Sequence, residues 1–327
     1  TDCVWGLLGY FNPSMPLSVS EIEHYGFWFD RDRYTIPYVT KHNLYNLFAE
    51  NTEEIIAAYF NNRSFDRYVF KPEYDTQRKL EDSFVRNGLL PKYADILDKL
   101  LSLYCEVIFI EDRTKAGYYH PRINVMKSQS FAELSDHEKW CIQRIHDEYF
   151  YHRHTNQWSS EAMRKLPALL NTTDMLVCGE DLGMVPACVP DVMGQLQILS
   201  LEVQRMPKET TQRYVNLDAV PYLSVCCTGT HDTSPLRMWW RENRENTQWF
   251  YNNILHQGGG APEDLTPELA QQIVDMHVNS KSMWAILPWQ DYMACDGENR
   301  FPNPEAERIN DPSNPHHIWC WRMHVEL

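Results

Sequence analysis

Hydrophobic spacing along the chain predicts many helices separated by a few short strands. Within 90–105, apolar residues recur at 93, 96, 97, 100, 101 and 104, which is the spacing of one helix face. The same criteria predict further helices at 51–60, 75–88, 134–154, 159–170, 186–196, 234–243 and 266–280. Short runs rich in β-branched and aromatic residues predict four strands, at 106–112, 175–179, 198–204 and 222–227.

Polar residues mark where several of these helices begin and end. Asn51 with Glu54, and Ser135 with Glu138, have the spacing of a capping box, in which each residue satisfies a backbone N–H of the other. The segment predicted at 75–88 ends in Gly88, and glycine readily adopts the left-handed conformation that ends a helix. The sequence therefore predicts helix starts after Asn51 and Ser135 and a helix end before Gly88.

The alternation of strands with helices predicts an α/β fold. Parallel strand pairs need a crossover connection, and helices of this length supply one. A complete (β/α)8 barrel of the TIM type needs eight strands. Four strands therefore predict the C-terminal half of such a barrel, as one partial catalytic domain over 1–327 with helical insertions at about 45–105 and 130–170. A doubly wound open sheet is the structural alternative, although no glycine-rich turn follows any strand.

Composition indicates which kinds of partner and which cellular compartment to expect. The chain has 327 residues, is 43% hydrophobic and carries a formal net charge of −15. Because that charge repels phosphate backbones and anionic lipids, nucleic acid and membranes are not expected as partners. The 9 cysteines are scattered and form no CxxC pair, so the sequence predicts neither a disulfide framework nor a zinc site. We therefore expect a reducing, cytoplasmic location.

Acidic residues follow two of the predicted strands at equivalent places. Glu180 and Asp181 follow the strand at 175–179, and His231 and Asp232 come shortly after the strand at 222–227. Parallel strands end on the same rim of a barrel, where active sites lie, so two carboxylates are expected to face a shared pocket. Since side chains alternate along a strand, only one of Glu180 and Asp181 can point into it, and the other is expected to bond backbone N–H groups at the turn. The alternative is that each carboxylate only caps the helix that follows.

Paired carboxylates together with many aromatic residues fit glycosyl transfer. One carboxyl group protonates the departing sugar oxygen while another attacks or stabilises the oxocarbenium-like carbon. The sequence contains no G-x-S-x-G, HExxH, P-loop or dinucleotide-binding motif. We interpret His146, His152 and His154 as ordinary helix-surface and helix-end residues, and we expect neither a metal nor a cofactor.

The stretch CGEDLGMVP, followed about fifty residues later by CTGTHDTSPLRMWW, resembles the 4-alpha-glucanotransferases of glycoside hydrolase family 77. The similarity is strongest to the long branch of plant disproportionating enzymes. Supporting stretches are FNPSMPLSVSEIEHYGFWFD, GYYHPRI and ERINDPSNPHHIWCWRMH. The resemblance implies retaining transfer of a maltooligosaccharide, with an alpha-1,4-glucan or maltose as substrate, through a covalent glycosyl-enzyme intermediate.

The resemblance also implies a role for five residues. Glu180 matches the general acid/base, Asp232 the acid that stabilises the transition state, and His231 a residue that hydrogen-bonds the sugar. Arg308 and Asn310 match a substrate-binding segment that approaches the active-site rim. Asp181 has no catalytic role in that pattern, which agrees with the alternation of side chains.

One element of the family pattern does not occur in this sequence. The family's nucleophile is the Asp of an Arg-Ile-Asp-His motif, which these 327 residues do not contain. The opening TDCVWGLLGYFNPSMPLS resembles the segment that follows that motif. We therefore expect the chain to be the C-terminal part of a longer polypeptide, with the nucleophile and earlier barrel strands upstream, and to be inactive alone.

Two alternative functions follow from the same residues. An α-amylase-type hydrolase shares the acid chemistry and differs in whether water or a sugar hydroxyl reaches the intermediate. A glucan-binding protein without catalysis would keep the cleft, but the presence of both Glu180 and Asp232 argues against it for the parent protein.

Overall fold

The computed structural model describes residues 14–183, 185–209, 211–314 and 316–324. The chain divides into two compact units, Thr1–Asn156 and Gln157–Leu327, and each is described by itself below. Residues 1–13, which carry most of the expected similarity to the segment after the nucleophile motif, lie outside the described residues.

The secondary structure of the described residues is mixed. The strands are β1 Leu17–Ser18, β2 Phe60–Ser64, β3 Arg67–Phe70, β4 Phe109–Glu111, β5 Tyr118–Pro121, β6 Ser200–Val203, β7 Ser224–Cys227 and β8 Trp284–Ala285. The helices are α1 Val19–His24, α2 Arg31–Tyr34, α3 Lys41–Phe48, α4 Thr52–Tyr59, α5 Gln77–Arg86, α6 Ala94–Leu103, α7 Gln129–Ala132, α8 Asp136–Asp147, α9 Thr155–Leu170, α10 Cys188–Leu196, α11 Leu236–Glu242, α12 Arg244–Asn253, α13 Pro267–Val278 and α14 Trp289–Met293. In the described part of the chain, no helix has both the length and the apolar character needed to cross a membrane.

The first unit contains antiparallel sheets. Strand β5 lies between β1 and β4 and is antiparallel to both, while β2 and β3 form a separate hairpin. The prediction that the strand at 106–112 belongs to a parallel β/α series is therefore wrong. The apolar run predicts a strand, but it contains no information about the direction of the partner, which comes from β5 further along the chain. The hairpin also shows that the region at 45–105 is not purely helical.

Two helix starts in this unit were predicted as capping boxes, and one is confirmed. The Ser135 hydroxyl accepts the N–H of Glu138, and the Glu138 carboxylate accepts the N–H of Ser135, at the start of α8. Asn51 makes no side-chain cap, because it ends a 3-10 turn (Ala49–Asn51) and has φ −83° and ψ 0° instead of extended backbone. The predicted helix end is also confirmed, since Gly88 adopts φ +63° after α5.

Two of the three histidines at the end of α8 and just after it differ from their expected surface positions. His146 and His154 are buried, at 6% and 2% exposure, and only His152 is exposed. The Nε2 atom of His154 accepts the Met15 N–H at 2.9 Å, and its Nδ1 atom lies 2.9 Å from the Tyr149 carbonyl oxygen. These contacts require a neutral imidazole. Burial accordingly lowers the pKa of His154 to about 4.

The second unit is built around a parallel sheet. Strand β7 lies between β6 and β8 and is parallel to both, and a parallel bridge joins Cys178 to Leu199 just before β6. The spatial order of these segments is their order in the chain, as repeated β/α units require. The predicted strands at 198–204 and 222–227 are confirmed, the one at 175–179 is reduced to this bridge, and β8, α12 and α14 were not predicted. A core that includes Trp240, Phe250, Leu265 and Ile273 packs among α11, α12 and α13.

Candidate functional site

The register of the parallel sheet separates Glu180 from Asp181. Cys178 pairs with Leu199, so continuing the register places Glu180 opposite Leu201 and Asp181 opposite Glu202. Successive side chains along a strand point to opposite faces. Glu180 is exposed, and its carboxylate accepts only the Leu182 N–H, at 2.8 Å, among the described residues. Asp181 is 8% exposed, so the split predicted from alternation agrees with the structure.

Asp181 stabilises the sheet on the opposite face. Its Oδ1 atom accepts the N–H of Leu201 at 2.8 Å, and its Oδ2 atom lies 2.7 Å from Lys208 Nζ. The same ammonium group lies 2.7 Å from Glu202 Oε1, so one lysine joins two buried carboxylates. The sequence predicted that the Asp181 carboxylate would bond backbone N–H groups in its own turn. In the structure its backbone partner, Leu201, lies in the neighbouring strand instead.

Asp232 lies in a cluster with two other predicted residues. The Nδ2 group of Asn310 donates to Asp232 Oδ1 at 2.6 Å, and His231 Nε2 lies 3.3 Å from Asp232 Oδ2. The His231 ring is 4.9 Å from the ring of Trp319, centroid to centroid, and both side chains are about half exposed. The exposed carboxylate of Asp232 thus lies where the loop after β7 meets residues near the C-terminal end of the unit.

Arg308 joins the same cluster through Ser234. Its Nη2 group donates to Ser234 Oγ at 3.2 Å and lies 3.9 Å from Glu242 Oε1. Its Nη1 group donates to the Asn310 carbonyl oxygen at 3.4 Å. The four residues predicted at 231, 232, 308 and 310 therefore lie together in the structure.

A cavity of about 420 Å³ lies beside this cluster. Its walls include His231, Ile309 and residues that point from one face of the parallel sheet, namely Leu201, Val225 and Cys227. Glu180, Asp232 and Asn310 do not line it, and no hydrogen bond or ion pair joins Glu180 to Asp232 among the described residues. Four of the five predicted residues thus lie close together in the structure, and Glu180 lies on a neighbouring segment. No set of three or more metal-ligating side chains is found in the described part of the chain.

Two charged residues near the loop that carries His231 and Asp232, the buried Asp291 and the partly buried Arg205, were not predicted from the sequence. Asp291, at 1% exposure, accepts the Thr228 hydroxyl and, at 2.7 Å, the N–H of Leu236. Burial raises the pKa of its carboxyl group, and the nearby Arg205 opposes that rise. No pattern around 286–295 indicated Asp291. Arg205 could have been found, because it follows the predicted strand at 198–204 as Glu180 follows the one at 175–179.

Comparisons with known proteins identify the family of this chain. The profile of the glycoside hydrolase 77 family, described as 4-alpha-glucanotransferase, matches residues 32–326. This chain belongs to glycoside hydrolase family 77. Within that family, 4-alpha-glucanotransferase DPE2 of Oryza sativa subsp. japonica is 36% identical over 326 residues, covering 98% of this chain and 34% of the rice protein.

Other family 77 relatives match a shorter part of the chain. A 4-alpha-glucanotransferase of Chlamydia muridarum is 30% identical over 165 residues, which are 48% of this chain and 30% of that protein. The chain thus spans about a third of the length of these curated relatives. A solved amylomaltase from Streptococcus agalactiae in complex with acarbose has 13% identity and a TM-score of 0.39, covering 77% of this chain and 64% of that one.

Proposed function

We propose that this chain supplies the acid/base and the stabilising carboxylate of a 4-alpha-glucanotransferase. The observation that carries the proposal is the cluster around Asp232, where His231 and Asn310 contact a carboxylate at the carboxyl end of a parallel sheet. Active sites of β/α proteins form at such strand ends. Family membership supports the same conclusion.

In the proposed reaction Glu180 moves a proton twice. As a carboxylic acid it gives its proton to the glycosidic oxygen of the donor glucan while the bond from that oxygen to the anomeric carbon breaks. The anomeric carbon is then bonded to the carboxylate of the nucleophile expected upstream of this chain. As a carboxylate, Glu180 next takes a proton from the hydroxyl group of an acceptor glucan, whose oxygen attacks that carbon while the bond to the nucleophile breaks. Its exposure leaves the carboxyl group accessible to a sugar. The leaving glucan therefore carries away the first proton, and the acceptor returns one.

Asp232 acts on the sugar without forming a bond to it. Its carboxylate accepts hydrogen bonds from sugar hydroxyls and stabilises the positive charge that develops at the anomeric carbon. The donor from Asn310 at 2.6 Å fixes one of its oxygens, which orients the other toward the substrate and His231. An oriented carboxylate needs little reorganisation as charge develops.

We also propose that the parallel sheet is part of a (β/α)8 barrel. The consecutive order of the Cys178 segment, β6, β7 and β8, all parallel, supports this. The nucleophile would come from an Arg-Ile-Asp-His segment, which these 327 residues do not contain. We therefore expect the chain alone to give no disproportionation of maltose, and its cytoplasmic location stays a prediction.

A transfer assay on the longer polypeptide, which adds the upstream barrel strands and the Arg-Ile-Asp-His segment to this chain, tests the proposal. We expect maltose to give glucose plus longer glucans, whereas glucose alone would indicate a hydrolase. Glu180→Gln should lower transfer by several orders of magnitude while maltoheptaose still binds, because a principal catalytic group is lost. Glu263→Gln is the matched control, since Glu263 is also exposed and lies in a distant surface loop. Near-normal transfer by Glu180→Gln would remove Glu180 from this role.

A further inference from the structure

One side chain, Arg205, contacts both ends of the loop that carries His231 and Asp232. Its Nε group donates to the Thr228 carbonyl oxygen at 2.6 Å. Its Nη2 group donates to the Ser234 carbonyl oxygen at 2.8 Å and lies 3.4 Å from Thr233 Oγ1. These acceptors bracket the segment from 228 to 234 at both ends. The planar guanidinium group of Arg205 thus joins the two ends of the loop by hydrogen bonds.

The fit between Arg205 and the loop is close on both sides. A Cβ atom added to Gly229 would collide with Arg205 Nη2 and would lie 2.6 Å from Thr233 Oγ1. On another side the guanidinium carbon lies 5.2 Å from the centre of the Trp239 ring. The close approach of Arg205, and not a left-handed backbone, therefore favours glycine at 229. Because the guanidinium is planar and rigid, a lysine cannot reproduce these contacts.

We propose that Arg205 is a positioning residue for the glucan site. By fixing the ends of the 228–234 segment, it sets the orientation of His231 and Asp232, and it lines the same cavity as His231. The part of this inference that concerns glucan rests on the proposed function. The part that concerns the order of the loop does not.

Arg213 provides a matched control on the same unit. Its guanidinium carbon lies 5.1 Å from the centre of the Trp249 ring, which is nearly the geometry of Arg205 over Trp239. Its hydrogen-bond and ion-pair partners, Asn246 and Glu245, lie on the neighbouring helix α12 and not in the 228–234 segment. Arg205→Lys and Arg213→Lys therefore remove similar arginine–tryptophan contacts, but only the first disturbs the loop.

Hydrogen–deuterium exchange of the 327-residue chain tests the positioning role without any glucan. We expect Arg205→Lys to raise amide exchange severalfold in a peptide that covers 228–234 and to leave 266–280 unchanged. Arg213→Lys should leave both peptides as in the wild type. Gly229→Ala, which displaces the guanidinium instead of removing it, should reproduce the effect of Arg205→Lys. Wild-type exchange at 228–234 in both Arg205→Lys and Gly229→Ala would overturn the inference.

Calorimetric titration with maltoheptaose then tests the consequence for the glucan site. We expect Arg205→Lys to bind roughly tenfold more weakly than Arg213→Lys, as when one charge-assisted hydrogen bond is disturbed. Equal affinity in the two proteins despite a loosened loop would overturn the role in glucan binding. A wild-type chain that binds no maltoheptaose would count against the proposed function, and the exchange result would still decide whether Arg205 positions the loop.

Discussion

The adjacent residues Glu180 and Asp181 should respond to substitution in opposite ways. Asp181→Asn keeps the side-chain volume and the oxygen that accepts the Leu201 N–H. It replaces the oxygen that faces Lys208 Nζ at 2.7 Å by an NH2 group, so a donor then faces an ammonium group. Glu180→Gln keeps an oxygen for the Leu182 N–H and changes nothing buried.

The expected loss of stability follows from these contacts. A hydrogen bond between charged groups contributes about 1.5–3 kcal/mol, and breaking a fully buried ion pair costs about 3–5 kcal/mol. The Lys208 side chain is 26% exposed and keeps Glu202 as a partner, so the lower range applies. We expect Asp181→Asn to lower the free energy of unfolding by about 2 kcal/mol, or the melting temperature by roughly 4–8 °C for a unit of this size. Glu180→Gln should stay within about 0.5 kcal/mol of the wild type.

Urea unfolding followed by tryptophan fluorescence measures both changes, because most of the tryptophans lie in residues 157–327. The two units are expected to give separate transitions, and only that of the second unit should shift in Asp181→Asn. If Asp181→Asn is as stable as the wild type, or if Glu180→Gln loses as much stability, the assignment of the two side chains to opposite faces is wrong.

Two further predictions concern buried ionisable groups. The pKa of His154 is lowered to about 4 from 6.5, so between those pH values the folded state binds fewer protons than the unfolded state. The free energy of unfolding therefore falls as the pH drops from 6.5 to 4, by about 3 kcal/mol in total. Unfolding of His154→Gln between pH 4 and 7 should show a weaker pH dependence than the wild type, and an unchanged dependence would contradict the neutral imidazole. Glu307→Gln leaves the buried guanidinium of Arg237 without its carboxylate, so calorimetry should show a loss of about 3 kcal/mol. A loss below about 1 kcal/mol would mean that the Phe301 carbonyl oxygen, at 2.6 Å from Arg237, is a sufficient partner.

Local features were predictable because they depend on nearby residues. The Ser135 capping box and the end of α5 at Gly88 involve atoms only a few residues apart, and both are confirmed. The Asn51 cap fails because a 3-10 turn in front of α4 sets its backbone, and that turn is not visible in the capping pattern. Strand alternation was sufficient to assign Glu180 and Asp181 to opposite faces, because it depends only on the extended backbone of one segment.

Partners distant in sequence were not predictable from the same patterns. The run at 106–112 indicates a strand but not that β5 would pair with it antiparallel, because pairing direction depends on where the later segment lies. Asp291 gives no signal in the sequence, yet folding brings it to the Thr228 hydroxyl, 63 residues away. The Lys208 bridge between Asp181 and Glu202 likewise exists only once the strand ends are adjacent.

By itself, the sequence determined most of the longer helices, the strands at 198–204 and 222–227, the family resemblance and the residues at the strand ends. Spacing, caps and motifs are short-range properties that the chain carries in any conformation. The tertiary structure alone decided that Asn310 reaches Asp232, that Arg308 reaches Ser234, and that Arg205 fixes the loop between them. Those contacts join residues 29 to 78 positions apart, and they form only when packing of the whole unit brings the strand ends and the C-terminal segment together.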